Sequence, residues 1–93
     1  MATINIKQLG ELRFEVTVPG NPATTHVVTV AAHDAARLTG GQISVEQLIR
    51  RSFDFLLERE SNSSIMRSFD LSVITRYFPE YERVMMAMLT DAI

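Results

Sequence analysis

TTHVVTVAAHDAARLTGGQISVEQLIRRSFDFLLERE, residues Thr24 to Glu60, is the stretch that decides the fold. It passes from a β-branched segment through a short helical segment into a longer amphipathic one. In Thr24 to Val30 the apolar Val27, Val28 and Val30 are mixed with Thr25 and Thr29, so the alternation is imperfect and a strand inside a sheet is expected rather than one at its edge. Ala31 to Thr39 reads as a short helix: alanines favour it, Asp34 complements its dipole, and Gly40-Gly41 supplies a left-handed stop. Ser44 then opens a stronger helix, because Ser44 with Gln47 makes a capping box. Val45, Leu48, Ile49, Ser52 and Leu56 fall on one face, widened by Phe53, Phe55 and Leu57. Glu46, Arg50, Asp54 and Glu58 on the other side offer i,i+4 ion pairs worth only about 0.2–0.5 kcal/mol each, so burial of the wide apolar stripe has to dominate.

Working outward toward the N-terminus, Leu12, Phe14, Val16 and Val18 alternate with Arg13, Glu15 and Thr17, the period of a half-buried strand. Ile4 and Ile6 suggest a shorter strand before it, with Gly10 in the connection. Pro19-Gly20-Asn21-Pro22 is a dense turn signal between Val18 and Thr24, so an antiparallel hairpin is expected. Toward the C-terminus, Ser61-Asn62-Ser63-Ser64 breaks the long helix and caps a short turn over Ile65 to Phe69. Asp70 or Ser72 then caps another running to Tyr77. Pro79, followed by Glu80 and Glu82, marks a last helix from Pro79 to about Thr90, with Tyr81, Val84, Met85, Met88 and Leu89 at helical spacing. The expected class is α+β, a two- or three-stranded antiparallel sheet followed by about four helices. Its expected core is Leu12, Phe14, Val16, Val18, Val28, Val30, Leu48, Ile49, Leu56 and Val73.

The 93 residues, 46% hydrophobic and 22% charged, fit one compact domain spanning residues 1–93. A domain of this size buries roughly two-thirds or less of its unfolded surface, which makes self-association an expectation. The chain has no cysteine, which excludes disulfides, thiolate metal sites and cysteine nucleophiles. Neither a signal-like apolar run at the start nor a stretch long enough to span a bilayer is present, so a soluble cytoplasmic protein is expected. The net charge of −2, without any block of like charge, leaves no electrostatic footprint for nucleic acid or anionic membrane.

At Phe55-Leu56-Leu57-Glu58-Arg59-Glu60, then Ser64-Ile65-Met66-Arg67-Ser68-Phe69-Asp70-Leu71-Ser72-Val73-Ile74, then Arg76-Tyr77-Phe78-Pro79-Glu80-Tyr81, the chain resembles a small uncharacterised family of bacterial proteins of about this length. The resemblance takes in the hairpin, the Leu38-Thr39-Gly40-Gly41 turn and the Arg76 to Tyr81 segment, and so covers most of the chain. It implies a bacterial cytoplasmic origin and brings no activity, cofactor or catalytic residue.

Candidate chemistry is thin. His33-Asp34 could contribute to a divalent metal site, but such a site needs further histidines and acids, and the chain holds only one other histidine, His26; a plain helix start is the stronger reading. Ser44, His26 and Asp34 can be assembled into a triad on paper, without the spacing of a nucleophile elbow. Gly40-Gly41 lacks the companions of a phosphate loop. Asp54, Glu58 and Glu60 share their surroundings with Arg50, Arg51 and Arg59, which reads as a solvated, ion-paired surface. No catalytic residue, cofactor or metal is assigned, and the chain is not expected to be an enzyme.

Two functional expectations follow. The first is a non-enzymatic protein-interaction module, expected to be a homodimer, with Tyr77, Phe78, Tyr81, Met85, Met86 and Met88 as the surface for a partner or for a second copy. Flexible thioethers suit adaptable binding surfaces, and apolar and aromatic residues, Phe69 among them, are dense here. The second is a DNA-binding regulator resembling the ribbon-helix-helix repressors, in which Thr24 to Ala31 would pair with its copy across a dimer. Thr25, Val27 and Thr29 would then face base edges, and Arg50 and Arg51 phosphates. The acidic balance and the lack of Arg, Lys, Asn or Gln in that strand weigh against it.

Overall fold

The structure is a computed structural model that describes residues 4–91, with side chains through residue 87. In chain order it contains β1 (Asn5–Gly10), β2 (Arg13–Val18), β3 (Thr24–Thr29), α1 (Ala32–Thr39) and α2 (Val45–Leu57). A 3₁₀ turn (Asn62–Ser64), β4 (Ser68–Asp70), α3 (Val73–Tyr77) and α4 (Tyr81–Asp91) follow. The strands form one four-stranded sheet in the order β1-β2-β3-β4. β1, β2 and β3 run antiparallel, whereas β4 lies parallel to β3, with Val28 opposite Phe69. The class is α+β.

The period-2 pattern sets which face of the sheet is covered. Phe14, Val16 and Val18 of β2 and His26, Val28 and Val30 in and after β3 are all buried, while Arg13, Thr25 and Thr29 on the other face are exposed. Leu48, Ile49, Phe53, Phe55 and Leu56 of α2 join the inward strand residues in a single core, and Leu71, Ile74, Tyr81 and Met85 extend it into α3 and α4. Each large side chain fully buried in this way contributes roughly 1.5–3 kcal/mol. α2 starts where its capping box predicts: the Ser44 hydroxyl accepts from the Gln47 N–H at 3.1 Å and the Gln47 side chain accepts from the Ser44 N–H at 3.0 Å. Gly40 ends α1 in the left-handed region at φ 59°, a conformation that costs glycine little.

The sheet departs from the sequence expectation by one strand and one orientation. Ile65 to Phe69, expected as a helical turn, is extended and leads into β4. A strand of three residues carries no periodic signal of its own; a nonlocal ladder to β3 holds it, in which Val27 N–H donates to the Arg67 carbonyl at 2.7 Å and Leu71 N–H to the Thr29 carbonyl at 2.8 Å. The last helix begins at Tyr81 rather than Pro79. The residue before a proline is pushed out of the helical region; Phe78 accordingly sits at φ −132°, ψ 86°, and Pro79 and Glu80 form a turn closed by Tyr81 N–H on the Phe78 carbonyl. Two expected core residues, Leu12 and Val73, are only partly buried, and in α3 Ile74 takes the core position instead.

Chemical denaturation checks this core. Phe53→Ala is expected to destabilise the domain by about 3–5 kcal/mol, whereas Ser44→Ala, which removes only the cap, costs about 1 kcal/mol. Equal, small losses in urea melts of the two variants would contradict the placement of Phe53.

Candidate functional site

An apolar groove lies along the β4 edge of the sheet, on its helix-covered side. Its volume is about 390 Å³. Leu56 at the end of α2, with Glu60 beyond it, forms one wall, and Ser64, Ile65 and Met66 of the connecting loop form the next. Phe69 of β4 contributes from the sheet, and Val73, Ile74, Tyr77 and Phe78 close the far side. Leu56, Ile65 and Ile74 belong to the buried core, so the floor is continuous with the interior. The rim is open: Met66 is 42% and Tyr77 67% exposed. Glu60 is the one charged residue lining the groove and makes no ion pair among the described residues.

Specific polar contacts hold these walls. The loop is clasped to β3 by His26, fully buried, whose Nδ1 lies 2.7 Å from the Met66 carbonyl and whose Nε2 lies 2.8 Å from the Thr24 hydroxyl. Asn62 Nδ2 donates to the Thr24 hydroxyl and to the Pro22 carbonyl, both at 3.1 Å. That approach is tight enough that a Cβ on Gly20 would stand 2.7 Å from Asn62 Nδ2. Phe55 meets Phe78 edge-on at 5.8 Å and Tyr81 at 5.3 Å, and the Arg59 guanidinium lies 3.6 Å from the centre of the Phe55 ring. At the β4–α3 junction, burial pushes the Asp70 carboxyl up, but hydrogen bonds from the Ser72 hydroxyl and N–H and from the Thr29 hydroxyl outweigh it and hold the group below the usual carboxylate range.

The residues expected to meet a partner divide. Tyr77 and Phe78 line the groove, and Met86 is 46% exposed on α4. Tyr81 and Met85 are buried in the core and offer nothing to a partner; their helical spacing is that of the face α4 turns inward. The Met88 side chain lies outside those described. Phe69, counted with the apolar residues of that surface, lines the groove as well, while Leu56, Ile65, Met66 and Val73, with Glu60, Ser64 and Ile74, complete it without having been expected there. For Ile65, Met66 and Val73 the signal is the run of apolar residues between the Ser61–Ser64 break and Tyr77, and for Leu56 only its place on the apolar face of α2.

The residues expected to read DNA are differently placed. Thr25 and Thr29 are exposed on the open face of the sheet and Val27 is partly buried beside them. β3, however, is bonded to β2 on one edge and β4 on the other. A ribbon formed by two copies needs an open edge, and β3 has none. Arg50 donates to the Ile4 carbonyl at 3.1 Å and reaches Glu46 at 4.0 Å, while Arg51 has one guanidinium nitrogen buried without a hydrogen-bond partner among the described residues. Arg51 is partly drawn into the fold, while Arg50 stays exposed with its guanidinium engaged.

The groups of the paper triad are each engaged elsewhere: Ser44 in its cap, His26 in its clasp and Asp34 with Arg37 at 3.0 Å. Among the described residues no three His, Asp or Glu side chains are grouped to hold a metal ion, and no helix is long and apolar enough to cross a membrane. What the groove offers chemically is an apolar lining with the Glu60 carboxylate and the Ser64 and Tyr77 hydroxyls at its border. Compared with known protein families, curated proteins and solved structures, the chain matches none.

Tyr81 gives the region a testable pH signature. Ser52 Oγ lies 2.7 Å from the Leu48 carbonyl, which can only accept, so the Ser52 proton goes there and Tyr81, 2.6 Å away, donates its own to Ser52 Oγ. Burial, despite that hydrogen bond, pushes the phenol from 10.0 up to about 12. A folded value above the unfolded one means stability that is complete below about pH 10 and lost as pH rises toward 12, about 3 kcal/mol across the window. Urea melts at pH 9 and pH 12 are expected to show this loss in the wild type and not in Tyr81→Phe; the same slope in both would remove Tyr81 as its source.

Proposed function

We propose that this chain is a non-enzymatic protein-interaction module, homodimeric and acting in the bacterial cytoplasm, which receives a partner protein in the groove between α2, the 61–66 loop, β4 and α3. The observation that carries the proposal is the open apolar groove itself, with Tyr77 exposed at its rim above a floor of core residues. An aromatic side chain held at the border of an apolar pocket is a usual anchor of protein interfaces. Phe78 supports the wall through its edge-on contact with Phe55, and Met66 supplies an adaptable thioether opposite. Dimerisation is proposed on size: a domain this small has little core to spare and gains stability from a covered surface.

The test uses the full chain, tagged, in nuclease-treated bacterial lysate, beside the variant Tyr77→Ala/Met66→Lys. Both changes lie at exposed positions, so thermal stability is expected to stay within a degree or two of the wild type. The wild type should retain a discrete protein that the variant loses, a drop of at least about tenfold for removal of an interface anchor. Identical retention by both, or none by either, would end the groove reading. Sedimentation equilibrium of the wild type tests the dimer separately.

A further inference from the structure

We propose that the groove's occupant is an extended peptide segment of a partner protein that adds to the sheet as a fifth strand alongside β4, with alternate apolar side chains in the groove and a lysine or arginine against Glu60. The inference rests on the interaction-module reading and specifies its partner.

The main chain of β4 is the first ground. In a parallel ladder the residues of a strand turn their N–H and C=O alternately toward and away from the neighbour. The Arg67 carbonyl accepts from Val27 and the Leu71 N–H donates to Thr29, so Phe69 between them faces β3, and Ser68 and Asp70 turn their main-chain groups outward. β4 is the terminal strand of the sheet, and unpaired edge groups are a template for a further strand.

The geometry of the side chains is the second. Phe69 stands opposite the core-facing Val28 and lines the groove. The groove therefore lies on the face where every second side chain of an added strand would point. An added helix would leave the Ser68 and Asp70 main chain unpaired.

Charge is the third. Glu60 makes no ion pair among the described residues at the groove's border, whereas the nearby Glu58 and Glu80 are both engaged by Arg59. A cation on the incoming segment completes Glu60, and an acidic segment is repelled by it.

The opposite edge of the sheet makes the contrast. β1 carries Lys7, and its register slips between Gln8 and Gly10; a lysine and an irregularity on an edge strand both discourage further pairing. β4, three residues long and carrying Asp70, has no lysine or register slip and opens directly onto apolar side chains.

The experiment selects phage-displayed random nonapeptides on the wild-type chain and on Glu60→Lys, then measures the selected peptides, made synthetically, by fluorescence polarisation. Circular dichroism melts establish that both proteins are folded. The wild type is expected to enrich alternating apolar sequences with a Lys or Arg, to lose about tenfold in affinity for them on Glu60→Lys, and Glu60→Lys to enrich acidic residues instead. N-methylation at alternate peptide positions should weaken binding about tenfold or more while methylation between them leaves it unchanged, and amide exchange at Ser68 and Asp70 should slow in the complex. Peptides that bind the groove without charge preference, or that tolerate N-methylation throughout, would overturn the added strand while leaving the interaction module standing. A groove filled by a second copy, seen as a dimer that Tyr77→Ala dissociates, would overturn the peptide occupant, and failure to enrich any peptide while the lysate partner is still captured would do the same.

Discussion

The imidazole of His26 is buried between β3, α2 and the loop ahead of β4, and its two nitrogens tie the first half of the chain to the second. A carbonyl can only accept, so Nδ1 carries the proton it gives to Met66, and Nε2 is left to accept from the Thr24 hydroxyl. That hydroxyl in turn accepts from Asn62, whose amide also reaches Pro22 in the hairpin turn. Every donor in the chain from Asn62 to Met66 thus has an acceptor, as buried polar groups require. The next carbonyl after Met66, that of Arg67, accepts from Val27 and begins the β3–β4 ladder. The clasp therefore fixes where β4 starts, and with it the register that places Phe69 opposite Val28.

Around this polar centre the aromatic packing runs in one direction. His26 lies 5.6 Å from Phe53 and Phe53 6.2 Å from Phe69, so the middle of α2 is wedged between the clasp and the edge strand. Farther along α2, Phe55 takes Phe78 and Tyr81 on its edges, and Ser52 holds the Tyr81 hydroxyl. α4 is also tied to α1 from outside, where Arg37 makes a two-pronged contact with Glu82 at 2.7 and 3.0 Å and holds that carboxyl below its usual range. The exposed clamp contributes little to stability, but it fixes the direction of α4. With the last helix held there, α3 and the Phe78-Pro79 turn have a fixed span to cross, and the groove's far wall follows from it.

Much of this was legible in the residues. The β2 alternation, the Pro19–Pro22 turn, the Ser44–Gln47 capping box and the Gly40 stop are local signals, and each element they mark stands where expected. The interior position of β3 was also legible, since Val27 beside Val28 breaks a one-sided pattern. β4 was not, because three residues between a serine turn and a short helix have no period, and their conformation is imposed by a partner strand some forty positions earlier. The same nonlocality hid the groove: Leu56, Ile65, Phe69 and Val73 come from four separate elements and become neighbours only after β4 is placed. Tyr81 and Met85 failed as partner residues for a different reason. An apolar stripe on a helix shows that a face will be covered and does not say by what; here the domain's own α2 and α3 cover it.

The position of the groove also makes binding and folding one problem. Leu56, Ile65 and Ile74 belong both to its floor and to the core, and β4 and α3, which frame it, are the shortest strand and helix in the fold. Elements that short have little local stability and depend on their neighbours. An occupant that contacts them only in the folded state must stabilise the whole domain, by about 2.7 kcal/mol when it is present at a hundred times its dissociation constant. For a small domain with a thin margin, that is a large fraction of the total. Among the described residues the shortest strand and the shortest α-helix thus border the groove beside the exposed Tyr77, where occupancy would add order to elements with little local stability of their own.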